Sequence, residues 1–594
     1  MGSGTGALTT QDSSGHVLTA RHVTKTFVSA QHKVTALDDC TFAIKPGMVT
    51  GLIGPDGAGK TTIMRLSAGL LKPDSGTIEV LGMDATRDYL EVQSSIRYMP
   101  QRFGLYEDLT VMENMNLYAD LLGVPPGERP LRYERLMKMT GLAPFTSRLA
   151  GRLSGGMKQK LGLACTLIKP PRLLILDEPT VGVDPVSRRE LWNIVYSQVE
   201  ERKMSVMLST SYLDEAERCQ EVVLIHEGRI LGQGRPGKFS RPLKGRCFML
   251  SVPKERKRAI QARLSDRPDV VDALILGEKI RLVTKSVIPP EQVATALELD
   301  AEVSVALSPP RFEDAFISML KKRLEEQGKQ VRFTRIEHKK VPATGVEDVI
   351  MVKDLVRRFG DFYAVNKISF SVKRGEIFGL LGANGAGKTT TFRMLCGLLP
   401  ASEGRLMVAG KDLRKARAQA RANIGYMAQK FSLYVDLTVR QNLRFFSSAY
   451  GLTGSRQKER IEWALDSFEL RQMENTVSGT LPLGYKQRLA LAAALMHEPD
   501  ILFLDEPTSG VDPLARRQFW AHINALAEAR VTIMVTTHFM EEAEYCDRVV
   551  VMRRGEILAS GTPEELKARY RPEGVDNPTM EDAFIMLIEM QKGS

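Results

Sequence analysis

Two glycine-rich loops of the same pattern lie 328 residues apart in this chain of 594 residues. The first runs from Gly54 to Thr61 and the second from Gly382 to Thr389. The same spacing relates Gln101 to Gln429, Asp177 to Asp505, and Asp184 to Asp512. A chain of this length exceeds one hydrophobic core. The shared register therefore predicts duplication of a domain of about 220 residues.

Each loop lies between an apolar strand pattern and an amphipathic helix pattern, the context that a phosphate-binding loop requires. Glycines let backbone N–H groups approach phosphate oxygens, lysine neutralises their charge, and threonine offers a hydroxyl to Mg²⁺. The predicted nucleotide-binding residues of the loops are Gly54, Pro55, Asp56, Gly57, Ala58, Gly59, Lys60, Thr61 and Thr62, and Gly382, Ala383, Asn384, Gly385, Ala386, Gly387, Lys388, Thr389 and Thr390.

Two acidic residues end a buried-strand pattern in each copy: Asp177 and Glu178 after Leu173, and Asp505 and Glu506 after Ile501. The end of such a strand in a parallel sheet points into the ligand crevice. The first acid of each pair is suited to the Mg²⁺ shell, and the second to polarising a water for attack on the γ-phosphate. The alternative is that these acids merely terminate strands.

Composition narrows the class of protein. Hydrophobic residues make up 43% and charged residues 26%, as in ordinary globular proteins. No apolar run approaches the ~18–20 residues that cross a bilayer. Six cysteines without a CxxC pair favour a reduced cytosolic compartment and argue against a metal site. The net charge of +11 suits an anionic membrane surface or RNA, but also many globular proteins, and carries little weight.

The predicted domain boundaries follow from the repeat and its interruptions. The segment after the first copy reads β-α-β-β-α-β, which suggests a ferredoxin-like unit with a packing or docking role. The basic segment between the copies suits acidic lipid or nucleic acid, although a solvated linker is favoured. The ranges are 1–17 (disordered, and not a signal peptide), 18–240 (first nucleotide-binding domain), 241–322 (small module), 323–346 (basic linker), 347–573 (second nucleotide-binding domain) and 574–594 (C-terminal helix and tail).

The ordered motifs resemble those of ABC ATPases. The resemblance implies an α/β fold with two P-loop domains, each with a mostly parallel sheet and a helical subdomain. It assigns the γ-phosphate and Mg²⁺ sensor to Gln101 and Gln429, and the partner-facing loop to Asp184 and Asp512. Phe27 and Phe359 match the aromatic that stacks on adenine, with core packing as a strong alternative. The implied cofactors are ATP and Mg²⁺, the latter held by Thr61, Gln101, Asp177, Thr389, Gln429 and Asp505.

Each copy departs from the family once. The signature is intact at Ser154, Gly155 and Gly156, whereas copy two has Pro482 and Leu483 before Gly484. Proline has neither hydroxyl nor N–H, and leucine blocks close backbone approach. The family's switch histidine is present as His538, whereas copy one has Ser211. Serine is short and cannot carry positive charge.

ABC halves pair head to tail, so each ATP lies between the phosphate loop of one copy and the signature of the other. Both departures then fall in one site. The other site, which joins Lys388 and Glu506 to Ser154, keeps every motif. The resemblance predicts one hydrolysing site, with Glu506, His538 and Gln429 as catalytic residues, and one weak site in which Glu178 permits slow turnover.

The sequence around Tyr106 and around Tyr434 resembles the drug-export class of bacterial ABC transporters. This class implies two integral-membrane subunits, identical or different, and a peripheral position on the cytoplasmic face of the cell membrane, with no nucleic-acid partner. Three alternatives are a ribosome-associated tandem ABC translation factor, a tandem sugar-import ATPase and a nucleotide-sensing adaptor. The broken second signature and short linker disfavour the first, the export-like wording the second, and the intact Glu506 and His538 the third.

Overall fold

The computed structural model describes residues 15–28, 33–101, 104–326, 328, 347–415, 420–429, 432–575 and 577–591. Most of the predicted disordered start and of the predicted basic linker lies outside these ranges. The chain forms two compact units, Met1–Val183 with Ser187–Phe239, and Asp184–Val186 with Ser240–Ser594.

The first unit contains the first predicted nucleotide-binding domain. Its strands are β1 (Leu18–Val28), β2 (Lys33–Ile44), β3 (Val49–Ile53), β4 (Ser75–Val80), β5 (Met83–Asp84), β6 (Ile96–Met99), β7 (Leu173–Asp177), β8 (Ser205–Thr210), β9 (Glu221–His226) and β10 (Arg229–Gly234). Its helices are α1 (Lys60–Ser67), α2 (Tyr89–Ser95), α3 (Val111–Leu121), α4 (Arg129–Thr140), α5 (Gly155–Leu167), α6 (Pro185–Arg202), α7 (Leu213–Arg218) and α8 (Pro236–Ser240).

The core of this unit is a six-stranded sheet in the order β10-β9-β3-β8-β7-β6. All neighbouring strands are parallel except β9 and β10. The predominantly apolar strands β3 and β7 are buried along their whole length, as expected for a sheet covered on both faces. Because β3 and β7 run in the same direction, the phosphate loop after β3 and the acidic pair at the end of β7 lie at the same edge.

The predicted mostly parallel sheet with a helical subdomain is confirmed, but the sequence pattern gave no sign of a second sheet. That sheet is antiparallel, with the order β2-β1-β4-β5. Register shifts interrupt the β1–β2 and β1–β4 pairings, which breaks the alternation that identifies a strand in a sequence. The helical subdomain begins at α3, where Thr110 and Glu113 form a capping box.

The second unit begins with the small module. Its elements are β11 (Cys247–Ser251), α9 (Lys257–Ser265), β12 (Val270–Leu276), β13 (Lys279–Thr284), α10 (Pro290–Ala296), β14 (Ser304–Leu307) and α11 (Phe312–Glu326). The strands form an antiparallel sheet in the order β12-β13-β11-β14. The predicted β-α-β-β-α-β order is present, and α11 extends into the start of the predicted linker. The ferredoxin-like assignment stays a prediction.

The rest of the second unit repeats the architecture of the first. Its strands are β15 (Asp348–Phe359), β16 (Phe362–Lys373), β17 (Ile377–Gly382), β18 (Glu403–Val408), β19 (Lys411–Asp412), β20 (Ile424–Met427), β21 (Ile501–Asp505), β22 (Thr532–Thr537), β23 (Arg548–Arg553) and β24 (Glu556–Gly561). Its helices are α12 (Lys388–Leu395), α13 (Val439–Ala449), α14 (Gly454–Ser467), α15 (Leu483–Ala494), α16 (Pro513–Glu528), α17 (Met540–Ala543), α18 (Pro563–Arg569) and α19 (Met580–Met590).

The two sheets of this repeat follow the same orders, β20-β21-β22-β17-β23-β24 and β16-β15-β18-β19. The strand that precedes the phosphate loop, β17, again lies inside the mostly parallel sheet. Among the helices that the structure describes, none combines the length and apolar character needed to span a bilayer.

Candidate functional site

The two phosphate loops have the same internal geometry. The ammonium of Lys60 donates to the carbonyls of Gly54 at 2.9 Å and Pro55 at 3.1 Å. Lys388 repeats these contacts with Gly382 at 2.7 Å and Ala383 at 3.1 Å. Each lysine therefore lies across the mouth of its own loop, where a phosphate would take the place of the carbonyls.

Glycine is required at the residue before each lysine. Gly59 has φ of 104° and Gly387 has φ of 102°, in the left-handed region that favours glycine. A Cβ at Gly59 would lie 2.6 Å from the carbonyl oxygen of Ala36, and one at Gly387 would lie 2.5 Å from that of Ala364. Conformation and space both exclude a side chain, so the predicted role of these glycines in shaping the loop has a steric cause.

The second acid of each pair lies in contact with the lysine and with the predicted sensor glutamine. Glu178 is 3.0 Å from Lys60 and accepts a hydrogen bond from Gln101 at 2.8 Å. Glu506 is 3.7 Å from Lys388 and accepts from Gln429 at 2.7 Å. Residues that are far apart in sequence therefore meet at one edge of each sheet, as the motif order predicts.

The first acid of each pair accepts hydrogen bonds from hydroxyl groups, and Asp177 also accepts one from Tyr98 at 3.2 Å. Thr61 donates to Asp177 at 3.1 Å and Ser209 donates at 2.7 Å. Asp505 accepts from Thr389 at 3.3 Å and Thr536 at 2.5 Å. Burial raises the pKa of Asp505, with the neighbouring Glu506 charge in the same direction, against the lowering by its hydroxyl donors.

This oxygen-rich pair of carboxylate and hydroxyl fits Mg²⁺, which prefers hard oxygen ligands and completes its shell with water and phosphate. Among the described residues, no group of three or more His, Cys, Asp or Glu side chains is placed to enclose a metal. One carboxylate and one hydroxyl match a magnesium ion that is shared with a nucleotide rather than held by a protein cage.

Both second acids have a backbone conformation that the sequence did not reveal. Glu178 has φ of 47° and Glu506 has φ of 48°, which is uncommon for residues other than glycine. Their N–H groups are fixed by the hydroxyls of Ser209 at 2.9 Å and Thr536 at 3.0 Å. Strained residues cluster at functional sites because the surrounding structure enforces a specific side-chain direction.

The switch position separates the two copies. His538 is buried, and its Nδ1 lies 3.1 Å from an oxygen of Glu506, at ion-pair distance but outside the geometry of a hydrogen bond. Burial alone would raise the pKa of Glu506, but His538, Lys388 and Gln429 hold it below its ordinary value. In copy one the Oγ of Ser211 is buried and contacts no hydrogen-bond partner within the described residues. The serine therefore does not replace the histidine as a partner of the acid.

The two copies also differ in the residue that precedes the signature helix. Ser154 caps α5, and its hydroxyl accepts a hydrogen bond from the N–H of Met157 at 3.3 Å. Pro482 takes the corresponding position before α15 and makes no side-chain cap. Both sequences start a helix there, but only the first provides a hydroxyl beside the helix N-terminus. Gly155 and Gly156 open α5 without side chains.

The remaining predicted site residues are placed as follows. Phe27 is 44% exposed and Phe359 is 48% exposed, so the alternative of core packing is wrong for both. The guanidinium of Arg357 lies 4.4 Å from the Phe359 ring. Asp512 caps α16, accepting from the N–H groups of Leu514 at 3.1 Å and Ala515 at 3.0 Å. Asp184 immediately precedes α6.

A second pair of buried acids was not predicted as part of the site. Glu215 accepts from the hydroxyls of Thr180 at 2.9 Å and Thr210 at 2.7 Å, and Glu542 accepts from Thr508. Burial raises the pKa of both Glu215 and Glu542. These acids link the loop after each acidic pair to the switch strand. Their recurrence after the switch position was visible in the repeat and is the signal that would have identified them.

The comparisons with known proteins agree with this geometry. The family model described as ABC transporter matches residues 37–181 and 365–509. A probable multidrug ABC transporter ATP-binding protein, YbhF of Escherichia coli (strain K12), is 53% identical over 96% of this chain and 98% of its own length.

Two more distant relatives carry similar descriptions. A putative ABC transporter ATP-binding protein of Methanosarcina acetivorans is 29% identical over 90% of this chain and 85% of its own length. The linearmycin resistance ATP-binding protein LnrL of Bacillus subtilis (strain 168) is 37% identical over 40% of this chain and 78% of its own. The chain belongs to the ABC transporter family, as an ATPase in which two ATP-binding domains are fused in tandem.

Proposed function

We propose that this chain powers the export of drugs or other small molecules through separate membrane subunits, and that its two ATP sites are unequal. The observation that carries the inequality is the contact of His538 with Glu506, for which copy one offers only Ser211. The names of the relatives, a probable multidrug transporter component and a linearmycin resistance protein, support export as the direction of transport.

In the proposed arrangement each ATP is bound by the phosphate loop of one domain and the signature of the other. The second phosphate loop then faces the cap of Ser154, whose hydroxyl and helix N-terminus are suited to the γ-phosphate. The first phosphate loop faces Pro482, which lacks both groups. The site built on Lys388 hydrolyses ATP, and the site built on Lys60 mainly holds it.

The chemistry at the stronger site follows from its side chains. Glu506, kept ionised by its neighbours, accepts a proton from the attacking water, while Gln429 and His538 orient the reacting groups. Mg²⁺, when bound, neutralises phosphate charge. Thr389, Asp505 and Gln429 would hold it in the second domain, and Thr61, Asp177 and Gln101 would hold it in the first.

Two membrane subunits, identical or different, form the transport pathway in this proposal. The exposed aromatic side chains of Tyr434 and Phe445, with ring centroids 4.7 Å apart, suit contact with such a partner. The chain then acts at the cytoplasmic face of the membrane. Closure of the two domains on ATP moves the membrane subunits, and hydrolysis resets them.

Paired carboxylate substitutions test the inequality. Glu506→Gln is expected to remove nearly all steady-state ATPase activity, and Glu178→Gln to leave most of it, because only the first deletes the base of the stronger site. Both variants are assayed in the full chain, with thermal unfolding as the control for folding. Equal losses in the two variants would contradict unequal sites.

The partner proposal has a separate test. Purification of the tagged chain from mild detergent is expected to recover two hydrophobic subunits. Recovery of ribosomes would instead support a translation factor. Membrane subunits that import a sugar in a transport assay would support the import alternative. These outcomes do not depend on the result for the two carboxylates.

A further inference from the structure

The small module packs against the second nucleotide-binding domain, within the same compact unit, although it follows the first domain in sequence. The turn between β12 and β13 carries part of this contact. At the turn, Gly277 donates its N–H to the carbonyl of Glu544, and its own carbonyl accepts from Lys257 at 2.7 Å. Leu274 and Leu276 of β12 join the main hydrophobic core of this unit, together with Trp520.

A buried carboxylate of the second domain faces two cations of the module. Asp547 is 3.4 Å from Lys257 and forms an ion pair with Arg258, and it also accepts from the N–H of Ile377 at 3.0 Å. Its side chain is 12% exposed. Burial alone would raise the pKa of Asp547, but Arg258, Lys257 and the Ile377 N–H hold it below its ordinary value.

The first domain fills the corresponding position with a neutral residue. Gln220 accepts from the N–H of Val49 at 2.7 Å, which is the contact that Asp547 makes with Ile377, and Gln220 is exposed. The side-chain amide of Gln220 is therefore sufficient to accept a hydrogen bond from the backbone N–H at this position. A largely buried carboxylate is costly unless it is paired with a cation, so the charge of Asp547 is explained by the module.

A second ion cluster lies on the helix that follows Asp512. Arg517 of α16 is 2.9 Å from Glu313 and 3.6 Å from Asp272, both contributed by the module segment. Its side chain is 5% exposed, whereas the corresponding Arg189 of the first domain is exposed. The same residue type therefore has a buried, paired role in one copy only.

Both clusters hold elements that lead directly to the ATP site. Ile377 begins β17, and β17 ends at Gly382 of the phosphate loop. Arg517 lies five residues after Asp512, which caps α16 and is predicted to face the partner domain. A shift of about 1 Å in such supporting elements is enough to reduce a catalytic rate markedly.

We infer that the segment 241–326 is a built-in positioning partner of the second ATP site, acting through Arg517 on the Asp512 loop and through Asp547 on the phosphate-loop strand. The inference rests on the proposed function only in taking the Glu506 site as one that hydrolyses ATP. Arg517 is a positioning residue, because it acts through α16 rather than by touching the nucleotide.

The test compares Arg517→Glu with Arg189→Glu in the full chain. Arg517→Glu is expected to lower kcat for ATP about tenfold, with KM within about twofold, because the attack geometry is disturbed and the phosphate loop is intact. Arg189→Glu is expected to leave kcat and KM within about twofold, since this arginine is exposed. Equal effects of the two substitutions would overturn the inference.

Two further variants keep the test decisive if Arg517→Glu unfolds. The exchange Arg517→Glu with Glu313→Arg is expected to restore part of the lost kcat, because the exchanged pair couples while Asp272 still faces position 517. Glu313→Gln, which alters the module alone, is expected to lower kcat about threefold at constant KM. A change confined to KM, or an exchange that restores folding without kcat, would contradict positioning.

Hydrogen exchange separates this inference from the proposed function. In Arg517→Glu, the amides of Leu514 and Ala515, which Asp512 caps, are expected to exchange faster than in the parent chain. This measurement holds even if Glu506→Gln retains activity, which would sink the proposed function alone. Unchanged exchange in 512–517 would overturn the positioning role whatever the carboxylates do.

Discussion

The two ATP-binding domains agree in the geometry of their predicted phosphate loops and differ at the switch and signature positions. Lys60 and Lys388 make the same two backbone contacts, and Glu178 and Glu506 share the same unusual φ. By contrast, Ser211 lacks the imidazole that copy two has at His538, and Pro482 lacks the hydroxyl that copy one has at Ser154. Under the proposed function, the residues that bind the nucleotide are present in both copies, and the residues that complete hydrolysis are complete for one site only.

The switch position offers the largest expected effect. His538→Ala is expected to reduce kcat by about 10²–10³-fold, because it removes a preorganised partner of Glu506. Ser211→Ala is expected to change kcat less than about twofold, since the serine hydroxyl has no partner to lose among the described residues. Steady-state ATPase assays at saturating ATP measure both. A comparable loss from Ser211→Ala would remove the distinction between the copies.

The signature tests the cross-domain arrangement. Placing Pro and Leu at Ser154 and Gly155 is expected to lower kcat about tenfold or more, because the γ-phosphate loses a hydroxyl and a close backbone approach. Changing Pro482 to Ser and Leu483 to Gly is expected to have little effect alone, since Ser211 remains. Adding Ser211→His to that pair should make ATPase activity resist Glu506→Gln. Continued inactivation by Glu506→Gln in this repaired chain would argue against the proposed pairing.

The contrast between Asp547 and Gln220 is measured by stability. Asp547→Asn is expected to lower the free energy of unfolding of the second unit by about 3 kcal/mol, at the low end for a broken buried pair, because Lys257 is buried and Arg258 is only partly exposed. Gln220→Ala should cost about 1 kcal/mol or less, as a single neutral hydrogen bond is lost. Chemical denaturation followed by circular dichroism provides both values.

The same pair has a pH signature. Because the folded pKa of Asp547 is depressed, its contribution is fully present above the unfolded pKa of about 3.9 and is lost as pH falls through the folded pKa. The stability difference between the parent chain and Asp547→Asn is therefore expected to shrink below about pH 4. A difference that stays constant to lower pH would show that Asp547 acts without its charge.

The exposed aromatics give the smallest expected effect. Phe359→Ala is expected to weaken ATP binding to the second domain about fivefold, at the lower end of the stacking contribution of one base. Phe27→Ala should act similarly on the first domain. Isothermal titration with a non-hydrolysable ATP analogue measures each, and Phe359→Trp serves as the control that preserves stacking. Unchanged affinity in both alanine variants would show that neither phenylalanine stacks on adenine.

The edge of each domain that carries the predicted site could be predicted, because the residues that define it are close together in the sequence. Glycine spacing before Lys60 and the apolar strand before Asp177 specify a loop and a strand end without reference to distant residues. The left-handed backbone of Glu178 was not predictable, because the surrounding fold imposes it on a residue that does not favour it. Phe27 shows the same limit, since its exposure depends on how β1 pairs with its neighbours.

The position of the module could not be read from the sequence either. Asp547 and Arg517 resemble ordinary surface charges until their partners are known, and those partners lie more than two hundred residues away. The informative difference was that copy one has Gln220 where copy two has Asp547. A charged residue at this position is explained only when the neighbouring cations Lys257 and Arg258 are known. Duplication supplied the reference against which such an exchange stands out.

Because the chain is translated from its N-terminus, the module is synthesised before the domain against which it packs. Lys257 leaves the ribosome 290 residues before Asp547. At about 5–20 residues per second, the nascent module waits roughly 15–60 s before the surface that accepts it has been translated. During that interval Leu274 and Leu276 of β12 lack the core residues of the second domain that later cover them, so slower elongation downstream of the module is expected to lengthen their exposure to aggregation.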